Sequence, residues 1–199
     1  MHLETFYDYI SNEKRYSINT LISYKTDLNQ FFLFLNTEFS ISDPTKVSYK
    51  MIRNWISHLL ESGLKSVSVN RKISSIKSYF KFIEMSGFSD SNPTLKITSP
   101  KTSKRLPVFV EKNNIEKLLD NNFFKDDFKG RRDKLIIELF YFTGIRLSEL
   151  LNILISDIDF NNSSLKVLGK RNKERLIPLN FELAQNLKNF IFKNNISKF

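Results

Sequence analysis

The chain has 199 residues, enough for one or two domains, and 31 Lys and Arg against 21 Asp and Glu leave a net charge of +10. With no cysteine, disulfides, thiolate chemistry and Cys-based zinc sites are excluded, and two histidines as far apart as His2 and His58 disfavour a metal site. No basic start leads into an apolar run and no stretch reaches the roughly 18–20 apolar residues of a membrane span, so a cytoplasmic protein without metal, cofactor or membrane contact is expected.

The first part reads as four helices. Leu3 to Ser11 is short. Ser17 is placed to cap the second, whose apolar stripe runs Ile18, Leu21, Ile22, Leu28, Phe31, Phe32 and Leu35. Asp43-Pro44 marks a turn. The third carries Met51, Ile52, Trp55, Ile56 and Leu59, and Gly63 is placed to end it. In the fourth, from Ser66, Val69, Ile73, Ile76, Phe80 and Ile83 step by 4, 3, 4 and 3 before Gly87. With no strand pattern between them, these form a small helical bundle spanning 1–88. Residues 89–107, rich in Ser, Asn, Thr and Lys with Pro93, Pro100 and Pro107, read as a basic linker, with a surface loop as the plainer alternative.

A second unit, 108–199, opens with helices over Glu111–Asp120 and Arg131–Phe142. Gly144 lets the chain turn at low steric cost. Leu147, Leu150, Leu151 and Leu154 then recur at helix spacing, so a short amphipathic helix is expected with Arg146 at its mouth. There the guanidinium and the helix N-terminus would make a phosphate-binding corner; pairing of Arg146 with Glu149 one turn on is the alternative. Leu165, Val167 and Leu168 form one β-prone run and Glu174 to Leu179 another, with Gly169 to Lys173 as the hairpin loop. A helix from Phe181 to Phe192 follows. Residues 1–86 carry 11 Lys/Arg and 8 Asp/Glu, residues 87–199 carry 20 and 13, so most of the excess charge lies in the second part.

The stretch Thr143-Gly144-Ile145-Arg146-Leu147-Ser148-Glu149-Leu150 resembles the first catalytic box of the tyrosine recombinases, the phage-integrase and Xer type. Val167-Leu168-Gly169-Lys170-Arg171-Asn172-Lys173-Glu174-Arg175-Leu176-Ile177-Pro178-Leu179 resembles the hairpin that carries the family's active-site lysine, and it stands at the family's spacing. Lys14 to Thr20 and Ser66 to Ser74 resemble the openings of the second and fourth helices of the family's core-binding domain. The resemblance implies a mainly α fold with a small antiparallel β element: an N-terminal helical, SAM-like core-binding domain, then the first part of a recombinase catalytic domain.

It also implies roles. Arg146 would bind the non-bridging oxygens of a scissile phosphate and offset their developing charge. Lys170 would touch a base beside the cut and act as general acid to the leaving 5′ oxygen; otherwise Lys170, Arg171, Lys173 and Arg175 are a basic turn on backbone phosphates. Arg171 stands where the family usually has glycine. Glu149 would help orient the site, or lie on a helix surface. Duplex DNA is the expected partner, with Ser17, Thr20, Asn70, Arg71, Ser74, Lys77, Lys81, Arg171 and Lys173 as contacts, and four protomers assemble on paired sites in the family.

The family also needs a His-x-x-Arg box, a further His or Trp, and a tyrosine nucleophile near its C-terminus. Here all tyrosines precede Arg146, the last being Tyr141, and no histidine follows His58. The expectation is therefore a C-terminally truncated recombinase that does not cut DNA alone. The alternative is a non-catalytic DNA-binding protein that occupies recombination sites or modulates a full-length relative.

Overall fold

The computed structural model describes residues 2–103, 108–120, 123–169 and 173–194. It divides into two compact units, Met1–Leu106 and Pro107–Phe199. Among the described residues it is mostly helical, with one small antiparallel sheet.

The first unit is a helical bundle. α1 (Leu3–Asp8) runs into a widened π turn, Tyr9–Glu13. α2 (Ile18–Phe39) starts at Ser17, whose Oγ accepts the Thr20 N–H and so satisfies one orphan donor of the first turn. α3 (Tyr49–Glu61) is capped by Ser48 and followed by Gly63 at φ +84°, a conformation that favours glycine. α4 (Ser66–Met85) buries all five residues of the 4-3-4-3 series. Its Phe80 meets Phe31 and its Tyr79 meets Phe6 and Phe32 edge to face, and Phe31 in turn meets Trp55 with centroids 5.1 Å apart.

Two sequence expectations change here. Ile18 and Ile22 are mostly exposed; the buried face of α2 begins at Asp27 and Leu28. Part of the stretch expected as a linker is docked on the first unit. Ile97 is buried in its core, and its carbonyl accepts Lys77 Nζ at 2.8 Å. The Pro100 carbonyl accepts Asn70 Nδ2 at 3.0 Å. The buried Ile97 side chain, the two carbonyls matched by α4 donors and a bond from Asn92 Nδ2 to Glu84 Oε2 at 3.1 Å hold it there.

The second unit begins with α5 (Lys112–Leu119) and α6 (Phe128–Thr143). α6 starts three residues before the expected Arg131, because Asp127 caps it by accepting the Gly130 N–H at 2.7 Å. Gly144, at φ +59°, ends it. α7 (Leu147–Leu150) is a single turn. β1 (Ile158–Asp159), β2 (Ser164–Leu168) and β3 (Glu174–Pro178) form a sheet in that order. The β2–β3 hairpin pairs Leu165 with Ile177 and Val167 with Arg175. α8 (Phe181–Lys193) is capped by Asn180 and packs on α6. Leu135, Leu139, Leu165, Val167, Ile177, Leu183 and Leu187 lie in the core between them.

The leucine stripe read for the Arg146 helix does not hold. Leu147, Leu151 and Leu154 are exposed, whereas Ile145 and Ile153 are buried. A 3.6-residue period needs a helix that persists, and α7 ends after one turn. Buried positions are set instead by the turns on either side.

One polar cluster crosses the first core. Asp27 on α2 has no solvent exposure and accepts from Arg71, Lys72 and Ser75 of α4. Asp27→Ala would leave the buried Lys72 ammonium without its counter-charge. It should destabilise the first unit by about 3–5 kcal/mol in urea unfolding; a loss below about 1 kcal/mol would show that the cluster contributes little to α2–α4 packing.

Candidate functional site

The candidate site in the second unit is built on a turn, a single helical turn and a hairpin. The α6 helix ends at Gly144, and Thr143 Oγ1 accepts the Ile145 N–H at 3.2 Å, which fixes the exit of the chain. Ile145 then enters the core, and Arg146 becomes the N-cap residue of α7 in an extended conformation. Glu149, three residues on, folds back. Its Oε2 accepts the Arg146 backbone N–H at 2.9 Å and its Oε1 accepts Arg146 Nη1 at 2.7 Å. The first bond is the carboxylate half of a capping box, the expected fate of Glu at N3.

A third donor arrives from the sheet. Arg175 lies opposite Val167 and two residues before Ile177, both buried, so it occupies an inward-facing register position at the end of the hairpin. Its Nη2 donates to Glu149 Oε2 at 2.8 Å. Glu149 is only 5% exposed. Burial alone would raise its pKa, yet the Arg146 N–H and the two guanidinium groups lower it to about 2. The carboxylate stays charged inside the fold because of them.

Glu149 is thus not a helix-surface carboxylate. It joins α7 to the hairpin while it holds one Nη of Arg146. The Arg146 side chain is 63% exposed, so the remaining donors of the fork face solvent. The anticipated help from a helix N-terminus is small: α7 is one turn long and the Arg146 N–H is already taken by Glu149. An anion at this corner would meet the guanidinium rather than a free helix N-terminus. At the end of the hairpin the Gly169 N–H donates to the Lys173 carbonyl at 2.7 Å. A Cβ on Gly169 would stand 3.2 Å from that carbonyl oxygen and 3.5 Å from Glu149 Oε1, so the residue before Lys170 packs against the Arg146–Glu149 pair. Lys170 and Arg171 lie outside the described residues; Lys173 is exposed.

The expected DNA contacts of the first unit divide into two groups. Ser17 and Thr20 are exposed but bonded to each other at the start of α2. Ser74 and Lys81 are exposed on α4, Ser74 with its hydroxyl on the Asn70 carbonyl. Arg71 is half exposed and docked on Asp27. Asn70 and Lys77 are half buried and hold the Pro100 and Ile97 carbonyls. Asp27, Lys72 and the specific role of Arg175 escaped the sequence reading. Each was signalled by a charge at a position whose helical or strand parity points inward.

Family models agree with this arrangement. One described as "Phage integrase, N-terminal SAM-like domain" matches residues 3–87, and one described as "Phage integrase family" matches residues 108–198. The chain belongs to the phage integrase family, the tyrosine recombinases. It is 40% identical over 188 residues to tyrosine recombinase XerC of Staphylococcus epidermidis strain RP62A, covering 94% of this chain and 62% of that protein. With a tyrosine recombinase of Pseudothermotoga lettingae it shares 36% over 193 residues, covering 95% and 65%. The chain therefore spans less than two thirds of the length of these curated relatives.

Solved structures share the fold. The Tn1549 transposon integrase in complex with a circular intermediate DNA matches with a TM-score of 0.72 at 18% identity, over 96% of this chain and 64% of that one. A lambda integrase dimer bound to a core site matches with 0.69 at 16%, over 94% and 64%. Among the described residues no helix is long and apolar enough to cross a membrane, and no group of three or more His, Cys, Asp or Glu is arranged to hold a metal ion.

The depressed pKa of Glu149 gives a pH test. Its ionised form is favoured in the fold, so its contribution is complete above the unfolded value near 4.5 and is lost as pH falls towards about 2. Glu149→Gln should lower the stability of the second unit at pH 7, and the gap from the parent should shrink between pH 4.5 and 2. Chemical unfolding at pH 7 and pH 3 would show it; an equal gap at both would contradict the charged-anchor assignment.

Proposed function

We propose that this chain binds duplex DNA at recombination sites and carries the Arg146 and Lys170 part of a tyrosine-recombinase centre. The observation that supports this best is Glu149, which holds Arg146 half-tethered at a turn while Arg175 ties the lysine-bearing hairpin to the same carboxylate. In this reading Arg146 grips two phosphate oxygens in the planar manner that lysine lacks. Lys170, from the hairpin loop, protonates the leaving 5′ oxygen. The nucleophile of the full reaction is a tyrosine that forms a 3′-phosphotyrosyl link, which stores the bond energy for rejoining.

Acting alone, the 199-residue chain makes no cut in our reading. None of its tyrosines follows Tyr141 and no histidine follows His58. Removing one member of such a constellation costs orders of magnitude in rate, and several positions are unfilled here. The chain acts in the cytoplasm, on DNA sites it shares with other recombinase protomers. The net charge of +10 and the basic residues Arg71, Lys81, Arg146 and Lys173 support the choice of partner.

The test has two readouts. Binding to a duplex should weaken steeply with salt, each phosphate contact adding about 0.9 to the log–log slope. A nicked suicide substrate should give no denaturation-resistant adduct. A flat salt response would exclude the DNA-binding reading. A trapped adduct would show that a tyrosine of this chain is the nucleophile.

A further inference from the structure

We propose that Asp27 is a positioning residue that presents Arg71 to a backbone phosphate of duplex DNA; this rests on the DNA-binding reading above. Asp27 is wholly buried, and donors converge on both of its oxygens. Lys72 Nζ at 3.1 Å and Arg71 Nη2 at 2.8 Å reach Oδ1, while Ser75 Oγ at 2.8 Å and Arg71 Nη1 reach Oδ2. Lys72 is itself buried and is also bonded to Gln30. It neutralises the carboxylate without help.

Arg71 is therefore a second cation on one anion, and the cluster keeps one net positive charge. That surplus lies at the surface: the Arg71 side chain is 50% exposed, that of Lys72 only 8%. A cation added to an already paired carboxylate gains little for the fold. What the two-pronged docking does is fix the plane of the guanidinium. It removes in advance the rotamer freedom that an anion would otherwise have to freeze, and it leaves the other donors of the fork unspent. Ser74, Ser78 and Lys81 continue from Arg71 along the same stripe of α4, at offsets of 3, 7 and 10. Small polar side chains and a lysine let a phosphate backbone approach closely, and none adds negative charge.

The test is a double-mutant cycle on the whole chain, read as binding to a labelled duplex across a salt series. Arg71→Ala should weaken binding about tenfold and reduce the log–log salt slope by about 0.9. Asp27→Asn should cost a similar factor with Arg71 present and nothing further in the Arg71→Ala background. Equal losses in both backgrounds would mean that Asp27 acts only through the fold, and binding unaltered by Asp27→Asn would equally overturn the proposal. If Arg71→Ala binds like the parent, this proposal fails while the DNA-binding reading stands; if the parent binds no duplex at low salt, both fail. A measurement on the unmutated chain covers the case in which Asp27→Asn does not fold. Nitrogen NMR of the DNA-free protein should resolve separate Nη signals for Arg71, because docking slows guanidinium rotation, and a single averaged signal would overturn the proposal.

Discussion

The Glu149 carboxylate has almost no contact with water, and it stays ionised because one backbone N–H and two guanidinium groups converge on it. An isolated charge so shielded from water would be costly, and the three donors offset that cost. The Arg146 N–H fixes the start of α7. The Arg146 guanidinium is drawn to the same corner while most of it remains in solvent. Arg175 brings the end of the hairpin, and with it Gly169, against the pair. A glycine suits that position because a side chain there would crowd both the Lys173 carbonyl and Glu149.

The same device occurs in the first unit. Asp27 is a buried carboxylate held by α4, and it also tethers a half-exposed arginine. In both units an inward carboxylate gives the fold a reason to keep a cation at a defined surface point. A free surface arginine samples many rotamers and loses that freedom on binding. A tethered one has lost it already during folding. This is the physical link between packing and the DNA-binding role proposed for the chain.

Most of the architecture was legible in the sequence wherever a long element buries one face. The 4-3-4-3 series of α4 is entirely buried, and the β2–β3 hairpin falls where the apolar runs place it. The box from Thr143 to Leu150 was legible through its residue order, and the Arg146–Glu149 pairing through its spacing of one helical turn. The errors have separate physical causes. Leu147, Leu151 and Leu154 share a helical period, but α7 lasts one turn and the pattern has nothing to act on. Asp27 was passed over and Arg175 was read only as part of a basic turn on backbone phosphates, although Asp27 lies one turn before Phe31 and Arg175 two residues before Ile177 on inward faces. Charge on a buried parity marks an internal ion pair, and that signal outweighs composition. Ile97 was hidden for another reason: it lies in a largely polar segment, and its neighbour Leu95 is exposed, so no apolar period marks it.

The central claim is that Arg146, held by Glu149, is a phosphate-binding member of a recombinase centre, and single-turnover cleavage by a chimera tests it most directly. The 199 residues would be joined to the C-terminal remainder of the Staphylococcus epidermidis relative and given a nicked suicide substrate. The account predicts a covalent protein–DNA adduct with the parent sequence, and a rate lower by about 10²-fold or more when Arg146 is replaced by Ala. An adduct that forms at undiminished rate in the Arg146→Ala chimera would contradict it.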